Sequence, residues 1–288
     1  MKRRTLAASM IALVLLAAGG LAAREGDAKA EVRKAIDAGY LNAYWNDMDM
    51  KALLAGWDHG AISMGIAPND QMFHTTLLNW FSGMTERKAP KARDFTFVYP
   101  TIDVAGDMAM AKVEVMKGDT ILFTDYFPLL RTKAGWKIVA YPYYQHKNGE
   151  RPRIADGEAE AVKQTVEDTI IHGLIESGNK SQVLAGVGEI CDLNRYVPEF
   201  DAVTKQDFGT LFLAGSMGLK AFPLKSHEFS LIGITGNLAA ARLTLRFEPS
   251  PVINMYLALY NTKAGWKIVE LTSDTPLVGM IDRPQRRQ

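Results

Sequence analysis

One octapeptide occurs twice in this chain and constrains its fold more than any other feature. Its residues, Thr-Lys-Ala-Gly-Trp-Lys-Ile-Val, stand at Thr132–Val139 and again, without change, at Thr262–Val269. The offset, 262 minus 132, is 130 residues, and it also aligns Ile102–Asp107 with Ile232–Asn237. One offset that aligns separated segments, at a period this long, predicts the duplication of a whole domain.

Each copy begins with a helical pattern. Apolar residues at i, i+4 spacing predict a first helix around Val32–Tyr44. A second helix is expected around Met50–Gly56, with Asp49 as its N-cap, and a third from about Asp70 to Arg87. The counterpart of the third helix in the second copy begins near Thr204. The residues expected to face the core from these third helices are Phe73, Leu77, Phe81, Met84, Phe208, Leu211 and Phe212.

The later part of each copy has the pattern of strands. Apolar and polar residues alternate over Ala109–Val115 and over Ala239–Phe247, as in strands with one buried face. Turn residues at Gly106-Asp107, Gly118-Asp119 and Lys133–Gly135 separate consecutive strands, which therefore pair antiparallel. Helices followed by a strand meander predict an α+β domain, with the helices on one face of a curved sheet.

The N-terminus has the order of a secretory signal peptide. Lys2, Arg3 and Arg4 form a basic head, an apolar run follows over Leu6–Leu16, and small residues lead to charged residues from Arg24 onward. The apolar run is shorter than the ~20 residues of a membrane-spanning helix. We therefore expect cleavage near residue 23 and export to the periplasm or the medium, without membrane attachment afterwards. An uncleaved membrane anchor is the alternative.

Charge and motifs exclude several classes of partner. Removing residues 1–23 takes away three basic residues, which reduces 33 to 30 against 32 acidic ones and gives a net charge of −2. Because nucleic-acid binders carry a basic excess, we expect no nucleic acid partner. No histidine pair has metal-ligand spacing, and no phosphate-binding or dinucleotide motif is present, so no metal or cofactor is predicted. The single cysteine, Cys191, allows no internal disulfide, lies too far from the signal for a lipoprotein anchor, and is expected to be buried.

The strand pair that carries the first octapeptide resembles a known family. Residues Phe123–Val139 resemble the closing hairpin of the putative lumazine-binding proteins, a branch of the nuclear transport factor 2-like (SnoaL-like) superfamily, and Ile102–Asp107 resembles the hairpin before it. The resemblance covers about residues 30–147 and, more weakly, the second copy. It implies two tandem cone-shaped domains, each with about three N-terminal helices packed on a curved antiparallel sheet that encloses a pocket. The superfamily includes enzymes and binding proteins, so the fold alone does not decide activity.

The resemblance and the polar residues together predict a pocket in the first copy. The segment from Trp57 to Ala61 is its densest polar group, although related sequences often read Phe-His-Pro-Asp-Ala there. The candidate ligand-binding residues, chosen for ring stacking or acid–base chemistry, are Tyr40, Tyr44, Trp57, Asp58, His59 and Tyr126. A structural role stays open for each, as core packing for the rings and as an exposed turn for the other two. Tyr141, Tyr143 and Tyr144 are expected at an interface.

An isomerase or dehydratase of the ketosteroid isomerase-like type is the alternative function. The resemblance places the base of such enzymes four residues past Ala61, at Gly65, and in the second copy at Arg195. Neither residue accepts a proton from carbon, so no catalytic residue is predicted. A protein-interaction module is the second alternative.

The sequence therefore predicts an exported, non-catalytic protein that binds an unidentified small, partly apolar molecule. The expected organisation is a signal peptide at 1–23, a first domain at 28–147, a linker at 148–157 and a second, divergent domain at 158–275. Single domains of the superfamily commonly dimerise through the open sheet, so we expect the two domains to pair face to face within the chain.

Overall fold

The chain forms two α+β units of the same design. The computed structural model describes residues 25–66, 71–85, 94–147, 149–210, 223–248 and 252–274. Each unit has a six-stranded sheet preceded by helices, which confirms the predicted fold class. The first unit contains helices α1–α3 and strands β1–β6, and the second contains α4, α5 and β7–β12, as defined below. The predicted signal peptide lies outside the described residues.

Three helices belong to the first unit. Helix α1 is α-helical over residues 25–36 and continues as a π-helix over Asp37–Asn46. Helix α2 spans Met50–Gly56, and α3 spans Leu77–Thr85. Asp49 caps α2 as predicted, because its Oδ1 accepts hydrogen bonds from the backbone N–H groups of Lys51 (2.9 Å) and Ala52 (3.1 Å).

The first sheet has the strand order β2-β1-β6-β5-β4-β3. Its strands are β1 Trp57–Ile66, β2 Met72–Thr76, β3 Phe95–Ala105, β4 Met108–Lys117, β5 Thr120–Thr132 and β6 Gly135–Gln145. Neighbouring strands pair antiparallel except β1 and β6, which are parallel. These two strands are distant in sequence, so no hairpin fixes their direction. Register shifts, between Val98 and Thr101 in β3 for example, introduce bulges that bend the sheet.

The predicted third helix is wrong in its first part. Met72–Thr76 is strand β2, paired antiparallel with β1, and Phe73 lies opposite Gly65 with 38% of its surface exposed. Leu77 and Phe81 are buried in α3 as predicted. Phe73 keeps i, i+4 spacing with Leu77, so the helical period continues across the boundary and hides the change from strand to helix.

The second unit repeats this error and this fold. Helix α4 spans Glu158–Val166, continues as a π-helix over Glu167–Ser177, and is followed by α5 at Lys180–Gly186. Its strands, in the order β8-β7-β12-β11-β10-β9, are β7 Val187–Val197, β8 Ala202–Asp207, β9 Leu224–Thr235, β10 Leu238–Phe247, β11 Val252–Thr262 and β12 Gly265–Ser273. Thr204 lies in β8 rather than capping a helix. Phe208 is buried, whereas Leu211 and Phe212 lie outside the described residues.

The octapeptide forms the turn between the last two strands of each sheet. Gly135 and Gly265 have φ values of +102° and +88°, which favour glycine. Lys137 donates a hydrogen bond to the carbonyl oxygen of Ala55 in α2, and Lys267 donates to that of Ala185 in α5. The retained residues therefore tie the closing hairpin to the second helix of each unit.

Helices cover one face of each sheet, and the opposite faces of the two sheets meet. We call the contact between these two sheet faces the seam. Its buried residues are Met64, Met108, Met110, Tyr126, Leu130, Val139, Ala140, Leu238, Ala240, Tyr256, Ala258, Tyr260 and Val269. The Tyr260 hydroxyl lies 2.8 Å from the Met64 carbonyl oxygen, and Arg242 forms an ion pair of 2.9 Å with Asp103.

Candidate functional site

A cluster of large rings fills the space between the helices and the sheet of the first unit. Tyr40 lies at its centre, with ring centroids 5.0 Å from Phe127 and 5.5 Å from Tyr141. We call this group the aromatic cluster: Tyr40, Tyr44, Trp57, Trp80, Phe127 and Tyr141. Tyr44 and Trp80 stack at 4.6 Å, and both are only half-buried. The cluster therefore has a closed centre and an accessible edge.

The local backbone brings the rings together. The π-helical part of α1 carries Tyr40 and Tyr44, whose rings stack at 5.6 Å. Helices α1 and α2 touch at Gly39 and Gly56, where a Cβ on either glycine would lie 2.8 Å or less from the Cα of the other. This close approach allows the Trp57 Nε1–H to donate a hydrogen bond of 3.0 Å to the Gly39 carbonyl oxygen.

A carboxyl group, that of Asp125 in β5, is buried beside the aromatic cluster. Asp125 is 0% exposed, and neither of its carboxyl oxygens accepts a hydrogen bond from any residue in the described part of the chain. The Tyr40 hydroxyl donates instead to the Tyr141 hydroxyl, at 2.7 Å. Both hydroxyls lie near the carboxyl and favour its charged form, without reaching hydrogen-bond geometry.

Burial dominates the electrostatics of this carboxyl. It raises the pKa of Asp125 well above its usual range, against the smaller opposing influence of Tyr40 and Tyr141. Burial and the nearby Asp125 also raise the pKa of both tyrosine hydroxyls. The neutral carboxyl is therefore favoured, and a neutral carboxyl can donate a hydrogen bond to a ligand oxygen.

The six predicted ligand-binding residues lie in three places. Tyr40, Tyr44 and Trp57 belong to the aromatic cluster. Tyr126 lies on the opposite face of β5, in the seam, where its hydroxyl is 3.4 Å from that of Thr235. Since consecutive residues of a strand point to opposite faces, Asp125 and Tyr126 cannot both face the rings.

Asp58 and His59 lie in strand β1, away from the rings. The Asp58 Oδ1 accepts a hydrogen bond of 2.9 Å from the Gly60 backbone N–H, and His59 is exposed. The pairing of β1 with β6 is irregular between Trp57 and Ile62. These two residues therefore stand on a bulged part of the strand near the solvent.

Two residues of the site, Asp125 and Tyr141, were not among the ligand-binding residues predicted from the sequence. Asp125 is a carboxyl in phase with Phe123, Phe127 and Leu129 on an apolar strand face. A carboxyl among apolar residues of one strand face was the feature of the sequence that could have identified Asp125 as a site residue. Tyr141 was expected at an interface, but its side chain packs in the cluster, whereas Tyr144 does lie at the seam against Gly236.

The equivalent positions of the second unit are aliphatic or sulfur-containing. At an offset of 130, Tyr40, Tyr44, Trp57, Asp125 and Tyr141 correspond to Ile170, Leu174, Val187, Met255 and Leu271. All five pack in or against the core of the second unit, which also holds the buried Cys191. At these five positions the second unit therefore has neither a ring nor a carboxyl.

Within the residues that the structure describes, no three or more His, Cys, Asp or Glu side chains are grouped so as to hold a metal ion. No helix among those residues is long and apolar enough to cross a membrane.

The comparisons with solved structures give partial overlaps. A nuclear transport factor 2-like protein of unknown function from Shewanella baltica is 18% identical, with 44% of this chain and 97% of that chain covered and a TM-score of 0.36. Another from Silicibacter pomeroyi is 23% identical, with 41% and 94% covered and a TM-score of 0.35. A third, from Methylobacillus flagellatus, is 16% identical, with 44% and 98% covered and a TM-score of 0.34. No curated protein matches the chain.

The family model described as Putative lumazine-binding matches residues 28–144. This range holds the whole aromatic cluster, Asp125 and the first octapeptide. The second unit repeats the strand order and the octapeptide of the first. The first unit is therefore similar to the Putative lumazine-binding family over residues 28–144, and the chain contains two units with the same strand order.

Proposed function

We propose that the first unit binds a small, flat, partly apolar molecule at the accessible edge of the aromatic cluster. The observation that carries this proposal is the buried Asp125 carboxyl without a hydrogen-bond partner among the described residues. Leaving a buried polar group unpaired costs about 1–3 kcal/mol. Such a cost is typical of sites where function requires the group.

The chemistry of the site favours a ligand with a ring and an oxygen acceptor. The half-buried rings of Tyr44, Trp80 and Tyr143 offer faces for stacking. A neutral Asp125 offers a hydrogen bond to a carbonyl or hydroxyl oxygen. Lumazine, which gives the family its name, combines a flat ring system with carbonyl oxygens and is the first compound to test.

Native mass spectrometry of the purified full chain, with a thermal-shift panel that includes lumazine, tests this proposal. We expect one small molecule per chain. Asp125→Val should abolish binding while the protein stays folded, because valine fills the site without a donor. Met255→Leu, at the equivalent position of the second unit, is the matched control and should bind normally. Absence of any ligand from both measurements would remove the proposal.

A second candidate, an isomerase or dehydratase, is favoured by one specific observation. Such an enzyme needs a buried carboxyl beside a tyrosine, and Asp125 lies beside Tyr40 and Tyr141. The base position inferred from the resemblance is Gly65, where a Cβ would lie 2.9 Å from the Phe73 ring. Asp125 would then have to act as the base in its ionised form, which burial disfavours. Solvent deuterium incorporation into bound carbonyl compounds is the readout. Asp125→Asn should then keep binding and lose exchange, whereas no exchange in the wild type rejects this candidate.

We propose that the second unit is a structural partner that replaces the second subunit of a dimer. The seam contacts between Tyr260 and Met64 and between Arg242 and Asp103 support this role. Residues 28–147 expressed alone should form a homodimer or an insoluble product. A stable, soluble monomer would contradict the pairing.

Export is proposed from the order of residues 1–23 alone. N-terminal sequencing of the protein from its own host should find a mature chain that begins near residue 24. An intact N-terminus in the cytoplasmic fraction would contradict export.

A further inference from the structure

We propose that a polar cluster on the second sheet makes the contact between the two units sensitive to pH, so that the seam loosens as the pH rises through neutrality. The proposal rests on the pairing of the units proposed above. It concerns residues that ligand binding in the first unit does not use.

The polar cluster consists of adjacent residues on the seam side of three neighbouring strands. Its members are Asp192 and Asn194 of β7, Lys205 of β8, and Glu270 and Thr272 of β12. In the strand register, Glu270 lies opposite Asp192, Thr272 opposite Asn194, and Lys205 opposite Asn194. At an offset of 130, the first unit has Ile62, Met64 and Ala140 in place of Asp192, Asn194 and Glu270. The second sheet therefore has polar or ionisable side chains at three positions where the first sheet has apolar ones.

The hydrogen bonds of the polar cluster are incomplete. The Asn194 Nδ2–H donates to Glu270 Oε1 at 3.0 Å, and the Thr272 hydroxyl donates to the same oxygen. Glu270 and Asn194 are both 0% exposed. Glu270 Oε2, Asn194 Oδ1 and Asp192 Oδ2 have no hydrogen-bond partner among the residues that the structure describes. A negative charge on Glu270 would therefore be stabilised by few hydrogen bonds.

Lys205 joins the polar cluster to the first unit. Its Nζ lies 3.7 Å from Asp192 Oδ2 and donates a hydrogen bond of 3.4 Å to the carbonyl oxygen of Val139 in β6. Two residues of the first unit interact electrostatically with the cluster: Asp58 with Lys205, and His74 with Asp192. From the second unit, Asp207 and the buried thiol of Cys191 are further titratable groups near the cluster.

The protonation of Glu270 changes the charge at the seam. Burial raises the pKa of Glu270 to about 7, against the opposing hydrogen bonds from Thr272 and Asn194 and the charge of Lys205. Below this value the carboxyl is neutral, and the only charges of the polar cluster are those of the Asp192–Lys205 ion pair. Above it, Glu270 adds a buried negative charge close to Asp192, with Asp58 across the seam.

The direction of the pH effect follows from the difference in the pKa of Glu270 between the closed and the opened seam. In an opened seam Glu270 is solvated and titrates near its ordinary value of about 4.3, so the closed state holds the proton more tightly. Stability of the closed state is therefore full at low pH and is lost as the pH rises toward about 7. Burial also raises the pKa of Asp192, which acts in the same direction, and lowers that of Lys205, which acts in the opposite one. A substitution at Glu270 separates these contributions.

Methionine oxidation of the full chain by peroxide measures seam opening. Met64, Met108 and Met110 are fully buried in the seam, whereas Met255 is fully buried in the core of the second unit and reports global unfolding. From about pH 6 to about pH 8, the oxidation rate of the three seam residues should rise about tenfold. The rate at Met255 should not follow.

Glu270→Gln should abolish this rise, because glutamine keeps the shape and the hydrogen-bonding oxygen but does not titrate. Glu228→Gln, on the exposed part of β9, is the matched control and should behave as the wild type. An unchanged rise in Glu270→Gln, or no rise in the wild type, would overturn the proposal. Seam methionines that oxidise as fast as a free methionine at both pH values would instead reject the pairing itself.

Discussion

The two units share a backbone plan and differ in what fills it. In the first unit aromatic rings surround the buried carboxyl of Asp125, whereas aliphatic and sulfur-containing side chains stand at the aligned positions of the second unit. What both retain is the closing turn, the lysine that ties it to the second helix, and the strand order. The comparison teaches that turns and inter-element hydrogen bonds preserve this fold, while the core interior is free to specialise.

The largest expected difference concerns the ring at the end of α2. Trp57→Ala removes a fully buried indole and its hydrogen bond to Gly39, and should lower the free energy of unfolding by about 3–5 kcal/mol. The matched Val187→Ala in the second unit removes two carbons and should cost roughly 2 kcal/mol. Urea denaturation followed by circular dichroism measures both. Equal losses would show that the aromatic core is no more important than the aliphatic one.

The second prediction concerns Asp125, whose substitution should increase rather than decrease the free energy of unfolding. Asp125→Val should raise the free energy of unfolding of the ligand-free protein by about 1–3 kcal/mol, because it removes an unpaired buried carboxyl. Since the pKa of Asp125 is raised in the folded protein, the wild type loses stability as the pH rises, and the gain from the variant should grow in the same direction. Thermal denaturation at several pH values tests this. Destabilisation at every pH would mean that the carboxyl has a partner.

A smaller effect tests the seam. Tyr260→Phe removes the hydroxyl that lies against the Met64 and Tyr143 carbonyl oxygens, and should cost about 1–2 kcal/mol. Tyr126→Phe breaks only a long contact of 3.4 Å and should cost less than about 1 kcal/mol. Ligand binding, measured by thermal shift, should be unchanged in both. Loss of binding in Tyr126→Phe would move the site to the seam.

The smallest effect should be equal in the two units. Lys137→Ala and Lys267→Ala each remove a lysine that binds the last turn of a short helix, α2 or α5. Each should cost about 0.3–1 kcal/mol, because these hydrogen bonds are exposed to solvent. Chemical denaturation of the two variants side by side checks the equality. A clear difference would show that the octapeptide has a second role in one unit.

The duplication, the fold class and the Asp49 cap could be predicted from the sequence, because each depends on local spacing or a single capping residue. Strand β2 could not, since Phe73 continues the helical spacing of α3. Which residues of β5 face the helices and which face the seam could not be predicted either. Most of this strand is buried on both faces, by the aromatic cluster on one side and the seam on the other, so alternation did not separate Asp125 from Tyr126.

The pairing of the two sheets could be expected from the family resemblance, but the polar residues of the seam could not. The first sheet places Met64 and Ala140 where the second places Asn194 and Glu270, and an isolated glutamate in a strand is normally exposed. In the structure Glu270 lies on the seam side of its sheet and is 0% exposed.

The most direct test of a specialised first unit is a crystal structure of the full chain purified from its own host. We expect electron density for one small molecule against Tyr44 and Trp80, with an oxygen or nitrogen atom within hydrogen-bond distance of Asp125. Density in the second unit, or an Asp125 carboxyl hydrogen-bonded only to protein in crystals that contain no ligand, would contradict it.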